Sequence, residues 1–132
     1  MRLLNTQTLQ LKYFIGDQTP LYVILSHTWG EDEVLFADMQ NGTAPQRKGY
    51  KKVLETCRQA LKDRYLWVWI DTCCIDKSSS AELQEAINSM YQWYAEANIC
   101  YVYLVDISND VAGWGAPFLE SRWWTRGWTL RK

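Results

Sequence analysis

Three short stretches concentrate the side chains that could do chemistry. The first is Ser26-His27-Thr28-Trp29-Gly30, and the second is Asp71-Thr72-Cys73-Cys74-Ile75-Asp76-Lys77. The third is Asp106 with the tail Ser121-Arg122-Trp123-Trp124-Thr125-Arg126-Gly127-Trp128. His27, the one histidine, could serve as a general base or contact a substrate. Asp71 and Asp76 bring carboxylates, and Trp123, Trp124 and Trp128 could stack on a flat ring. Arg122 and Arg126 could grip a phosphate. Each has a plainer reading. A lone loop histidine is more often structural, and Ser26 could bond local backbone. Asp71 could cap a turn, Asp76 could shape the approach to a helix, and the tryptophans could close a core. One histidine cannot make a Ser/His/Asp triad persuasive, and the sequence has no Gly-rich phosphate loop.

The elements that must position these stretches follow from apolar patterning. Residues 1–14 alternate weakly and predict a short N-terminal strand or hairpin. Gly16–Pro20 reads as a turn. Leu21–Leu25, Leu66–Ile70 and Ile99–Val105 are uninterrupted β-prone runs, as expected of strands buried on both faces of a parallel sheet. Between the first two lies a loop with an acidic cluster (Glu31, Asp32, Glu33), and a short helical piece is expected near Val34–Met39. Tyr50–Tyr65 then carries Val53, Leu54, Cys57, Ala60 and Leu61 at helical spacing. Ser79 with Glu82 matches a capping box. The helix it opens places Leu83, Ile87, Met90, Tyr94 and Ala97 on one stripe. Strand, helix, strand, helix, strand implies parallel strands joined by right-handed crossovers. In such a sheet ligands bind beyond the carboxyl ends of the strands, where all three polar stretches fall.

Bulk properties narrow the function classes. The 132 residues suit one domain, 1–132, and a net charge of −1 offers no electrostatic footprint for nucleic acid. No apolar run approaches a membrane span, and the N-terminus does not read as a secretory signal, so a cytoplasmic protein is expected. The four cysteines (Cys57, Cys73, Cys74, Cys100) form no C-x-x-C pair. They read as buried free thiols in a reducing compartment, with no metal. Eight tryptophans and eight tyrosines leave open a bulky core or an aromatic-lined pocket or interface.

At these same stretches the chain resembles the fungal heterokaryon-incompatibility (HET) family. The matching residues are Tyr22–Gly30, Trp67–Lys77 with Ser78–Leu83, Glu85–Tyr91, and Ser121–Leu130. The resemblance covers essentially the whole chain. It implies a role in cell death triggered when genetically different hyphae fuse, with other incompatibility proteins or a second copy as partners. It also implies an α/β, flavodoxin-like, three-layer fold similar to the Toll/interleukin-1-receptor (TIR) domain. Many TIR domains cleave NAD and release nicotinamide, so NAD is a possible substrate, though no cofactor is expected. Ser26, His27, Trp29, Asp71 and Trp128 are then the candidates around the nicotinamide ribose, with Asp76 and Arg126 as further substrate-binding candidates. In the cleaving kind, a glutamate four residues after a tryptophan stabilises positive charge developing on the ribose. Trp128-Thr129-Leu130 matches that place, but Lys132 stands where the resemblance calls for glutamate. An ammonium there would repel the developing cation. The resemblance therefore implies a non-catalytic member, or one truncated after its third core strand, with NAD cleavage as the alternative.

Overall fold

The computed structural model describes residues 1–104. The chain opens with the expected hairpin: β1 (Arg2–Asn5) pairs antiparallel with β2 (Leu11–Tyr13). The Asn5 side-chain oxygen accepts the backbone N–H groups of Gln7 and Thr8, which closes the turn between them. β3 (Val23–His27) is buried along its whole length. It lies between β4 (Trp67–Trp69) and β5 (Ile99–Tyr103), parallel to both. All three apolar runs are thus strands, shifted or shortened by a few residues. Val105 lies outside the described residues.

The sheet is mixed rather than wholly parallel, a correction to the expectation above. Its order is β2-β1-β4-β3-β5, and β1 joins β4 antiparallel. The reason is burial. Leu3 and Leu4 are fully buried, and the free edge of β4 is where a two-stranded ribbon can hide them.

α1 (Phe36–Asn41) is short. Asp38 caps it by accepting the backbone N–H of Leu35, and Gly42 ends it with a left-handed φ of 75°. α2 (Tyr50–Lys62) joins β3 to β4, and α3 (Ser80–Glu96) joins β4 to β5. Strand alternation puts the two helices on opposite faces. His27 and Tyr103 meet Lys52 of α2 on one face. Trp69 packs edge-on against Trp93 and Tyr94 of α3 on the other, at centroid distances of 5.6 and 6.0 Å. The result is three layers with the β3–β4 core between them.

Three details depart from the sequence pattern. The buried face of α2 is Lys52, Val53, Thr56, Cys57 and Ala60, so Leu61 is exposed and two polar residues are not. On α3, Ala86 is buried and Ile87 is 59% exposed. β5 alternates half-buried and exposed residues: its Ile99, Tyr101 and Tyr103 side is covered, and Cys100 and Val102 are exposed. It is the last strand of the described sheet, not one buried on both faces.

Candidate functional site

The chain leaves β3 toward β4 on one side, then returns past it to β5 on the other. The crevice beyond the carboxyl ends of β3 and β5 is therefore the topological switch point, where open α/β sheets hold ligands. His27 ends β3, opposite Tyr103 of β5. Asp71 lies two residues past the end of β4.

These ends carry a continuous hydrogen-bonded chain. His27 is almost wholly buried, and its Nε2 lies 2.7 Å from Asp71 Oδ1. The other Asp71 oxygen accepts the Trp29 indole N–H at 2.9 Å. On the far side of the imidazole, the Lys52 ammonium lies 3.0 Å from Nδ1. Lys52 also donates to Glu33 Oε2 at 2.6 Å and to the Thr28 carbonyl at 3.4 Å. An ammonium has three donors and no acceptor. All three Lys52 donors are used, and His27 Nδ1 must be an acceptor. The ring proton therefore sits on Nε2 and is donated to Asp71.

Glu33 completes the cluster and ties it to the backbone. Its Oε2 also accepts the Gly30 N–H at 2.8 Å. Gly49, at the start of α2, makes room for it. A β-carbon at Gly49 would lie 2.5 Å from Glu33 Oε1 and 3.0 Å from its Cα. Outside the cluster, Lys77 donates to the Asp71 carbonyl at 2.8 Å, and its ammonium lies 4.3 Å from the centre of the Trp29 ring. Trp29 is thus an exposed indole with its N–H fixed and a cation on its face.

The electrostatics follow the geometry. Burial alone would push the Asp71 carboxyl up. The hydrogen bond from His27, the Trp29 N–H and the Lys77 ammonium outweigh it, and Asp71 titrates below the usual carboxylate range. Burial lowers Lys77, only partly opposed by Asp71.

The structure brings together His27, Trp29 and Asp71 and separates Ser26 and Asp76 from them. Ser26 is fully buried and points to the opposite face of β3 by strand alternation. Asp76 builds a local turn. Its Oδ1 accepts the Ser78 N–H at 3.1 Å and hydroxyl at 2.5 Å. Glu82 takes the Asp76 N–H and pairs with Arg2, while the Ser79 hydroxyl caps α3 by accepting the Glu82 N–H. Only half of the expected capping box forms. Asp106, Arg126, Trp128 and Lys132 lie outside the described residues.

Sequence reading missed Lys52, Glu33 and Lys77 as site residues. A signal existed for Lys52: with Thr56 it shares the helix face of Val53 and Cys57, where a lysine needs a partner. Glu33 reads in the sequence only as one member of an acidic loop cluster. Cys73 and Cys74 are buried at the strand end, with the Cys74 sulfur accepting the Ile70 N–H at 3.4 Å. Burial pushes the Cys57 thiol up to about 12. All four cysteines are free, but Cys100 is exposed, contrary to the expectation that all are buried. Among the described residues no group of three or more His, Cys, Asp or Glu could hold a metal ion. Nor is any of their helices long and apolar enough to cross a membrane.

A three-layer α/β domain with a polar cluster at its switch point is the class that fold and site define. The family described as "Heterokaryon incompatibility protein (HET)" matches residues 22–115, and this chain belongs to it. It is 50% identical over 121 residues to vegetative incompatibility protein HET-E-1 of Podospora anserina, an alignment covering 86% of this chain. The chain spans about 9% of the length of that relative. No solved structure matches.

Proposed function

We propose that this chain is a signalling module of heterokaryon incompatibility, acting without catalysis in the cytoplasm through other incompatibility proteins or a second copy of itself. Its kinship supports the setting: every residue of the rim cluster, from His27 to Lys77, lies inside the span matched to the HET family. The observation that carries the non-catalytic reading is the commitment of the polar atoms. Both imidazole nitrogens and both Asp71 oxygens already hold internal partners. A general base needs a lone pair aimed at substrate.

The strand order β4-β3-β5 supports a flavodoxin-like and TIR-like comparison, because that core also turns back at its first strand. NAD cleavage is the second reading. An ionised Asp71 beside the exposed Trp29 favours it, since a carboxylate near a stacked ring would stabilise an oxocarbenium ion. Nicotinamide release from NAD by the purified chain separates the two. No release above the protein-free rate is expected. Robust release that disappears in Asp71→Asn would replace the signalling reading with the hydrolase one.

A further inference from the structure

We infer that Lys52 and His27 are mutually exclusive proton sites, and that the Lys52 ammonium is the positioning group that keeps His27 neutral and the Trp29 rim in place. The argument is one of charge and donors. Two carboxylates flank the imidazole: Asp71 Oδ1 at 2.7 Å from Nε2, and Glu33 Oε2 at 3.8 Å from Nδ1. A histidine between two carboxylates would ordinarily become an imidazolium. Here the ammonium stands at Nδ1 instead, 2.6 Å from Glu33, in a space that admits almost no water.

With Lys52 charged and His27 neutral, the buried group of Lys52, Glu33, His27 and Asp71 carries one net negative charge. Removing the ammonium would make that two, and a proton taken up at Nδ1 would restore it to one. Conversely, an Nδ1 proton added while Lys52 is in place would set N–H donor against N–H donor at 3.0 Å. One of the two must leave. If Lys52 leaves, Glu33 and the Thr28 carbonyl lose their tether to α2, and Trp29 lies between them in sequence.

The neighbours on every side fit this account. α2 presents Lys52 and Glu55, and the loop after β3 presents Glu33. The end of β4 presents Asp71, with Lys77 beyond it. β5 presents Tyr103, whose ring centre is 5.5 Å from the Lys52 ammonium. Glu55 engages the Tyr103 hydroxyl, and no other cation reaches the ring nitrogens among the described residues.

The test uses nitrogen-edited NMR of the imidazole, unambiguous because the chain has one histidine. At about pH 8, where a free imidazole is neutral, the wild-type ring is expected to carry a single proton, on Nε2. A ring protonated on Nδ1, or on both nitrogens, overturns the proposal. In folded Lys52→Met both nitrogens are expected to be protonated at the same pH. A neutral ring there overturns the exclusivity. Lys52→Gln removes the charge and can turn its amide oxygen to accept an Nδ1 proton, so it carries the same expectation and serves where Lys52→Met does not fold. If neither folds, the wild-type spectrum decides. The Trp29 indole N–H, assigned by its loss in Trp29→Phe, reads the positioning. Its exchange with solvent is expected to quicken about tenfold in Lys52→Met or Lys52→Gln. Unchanged exchange would make Lys52 a charge partner only and end its positioning role.

Discussion

Asp71 and Asp76 stand five residues apart in one loop, and the structure uses them in opposite ways. Asp71 accepts from His27 and Trp29, residues 44 and 42 positions away. Asp76 accepts from Ser78, two positions away. Asp71 joins the loop after β4 to the end of β3 and the residues just beyond it, at the rim of the sheet. Asp76 forms a turn that any short peptide with an Asp-x-Ser sequence can begin to make. A carboxylate's role here is decided by how far its partners must be brought, because a distant partner must be ordered by the fold before it can bond.

That contrast can be broken or sharpened by mutation. The largest effect is expected at the buried end of the Asp71 network. Glu33→Ala leaves the Lys52 ammonium buried without its counter-charge, and a loss of about 3–5 kcal/mol of unfolding free energy is expected in urea titration. A loss below about 1 kcal/mol would place this network with surface ion pairs.

Asp71→Asn is expected to cost about 1–3 kcal/mol near neutral pH, because a carboxamide cannot accept from both His27 and Trp29 without turning a donor toward one of them. The sign with pH is fixed by the direction of the shift. The folded carboxyl titrates below its ordinary 3.8, despite burial. Its stabilisation is therefore complete above the unfolded value and is lost as pH falls through the folded one. The stability gap between wild type and Asp71→Asn should hold steady above about pH 5. It should shrink as pH drops below 3.8. A gap that widens in acid would contradict the assignment.

The smallest effect is expected at the local member of the pair. Asp76→Ala removes a turn bond whose partners are exposed, and about 0.5–1 kcal/mol is the expected loss in the same titration. If it costs as much as Asp71→Asn, the distinction between long-range and local carboxylates fails for this protein.

The comparison also shows how far each region was legible. The three strands and both long helices stand out because their apolar runs and stripes reflect burial that any fold of this class would impose. Ser79 was readable as a cap because capping is a bond within four residues. The convergence of His27, Trp29 and Asp71 was legible too, since a βαβ order alone puts strand ends on one rim. Lys52 and Glu33 were not, although they complete the site. A lysine in an amphipathic helix and a glutamate in an acidic loop look solvated until tertiary packing buries them against each other.

By itself, then, the sequence determined which segments are strands and helices, that β3, β4 and β5 run parallel, and that the chain belongs with incompatibility proteins. Those follow from local periodicity, crossover handedness and long ordered blocks of matching residues. Tertiary structure alone decided that the hairpin joins β4 antiparallel and that Ser26 turns away from His27. It alone decided which nitrogen of His27 holds the proton, because that depends on an ammonium delivered from another element. The physical reason is common to all three. Pairing, facing and protonation are set by partners distant in sequence, and only a folded chain fixes their distances.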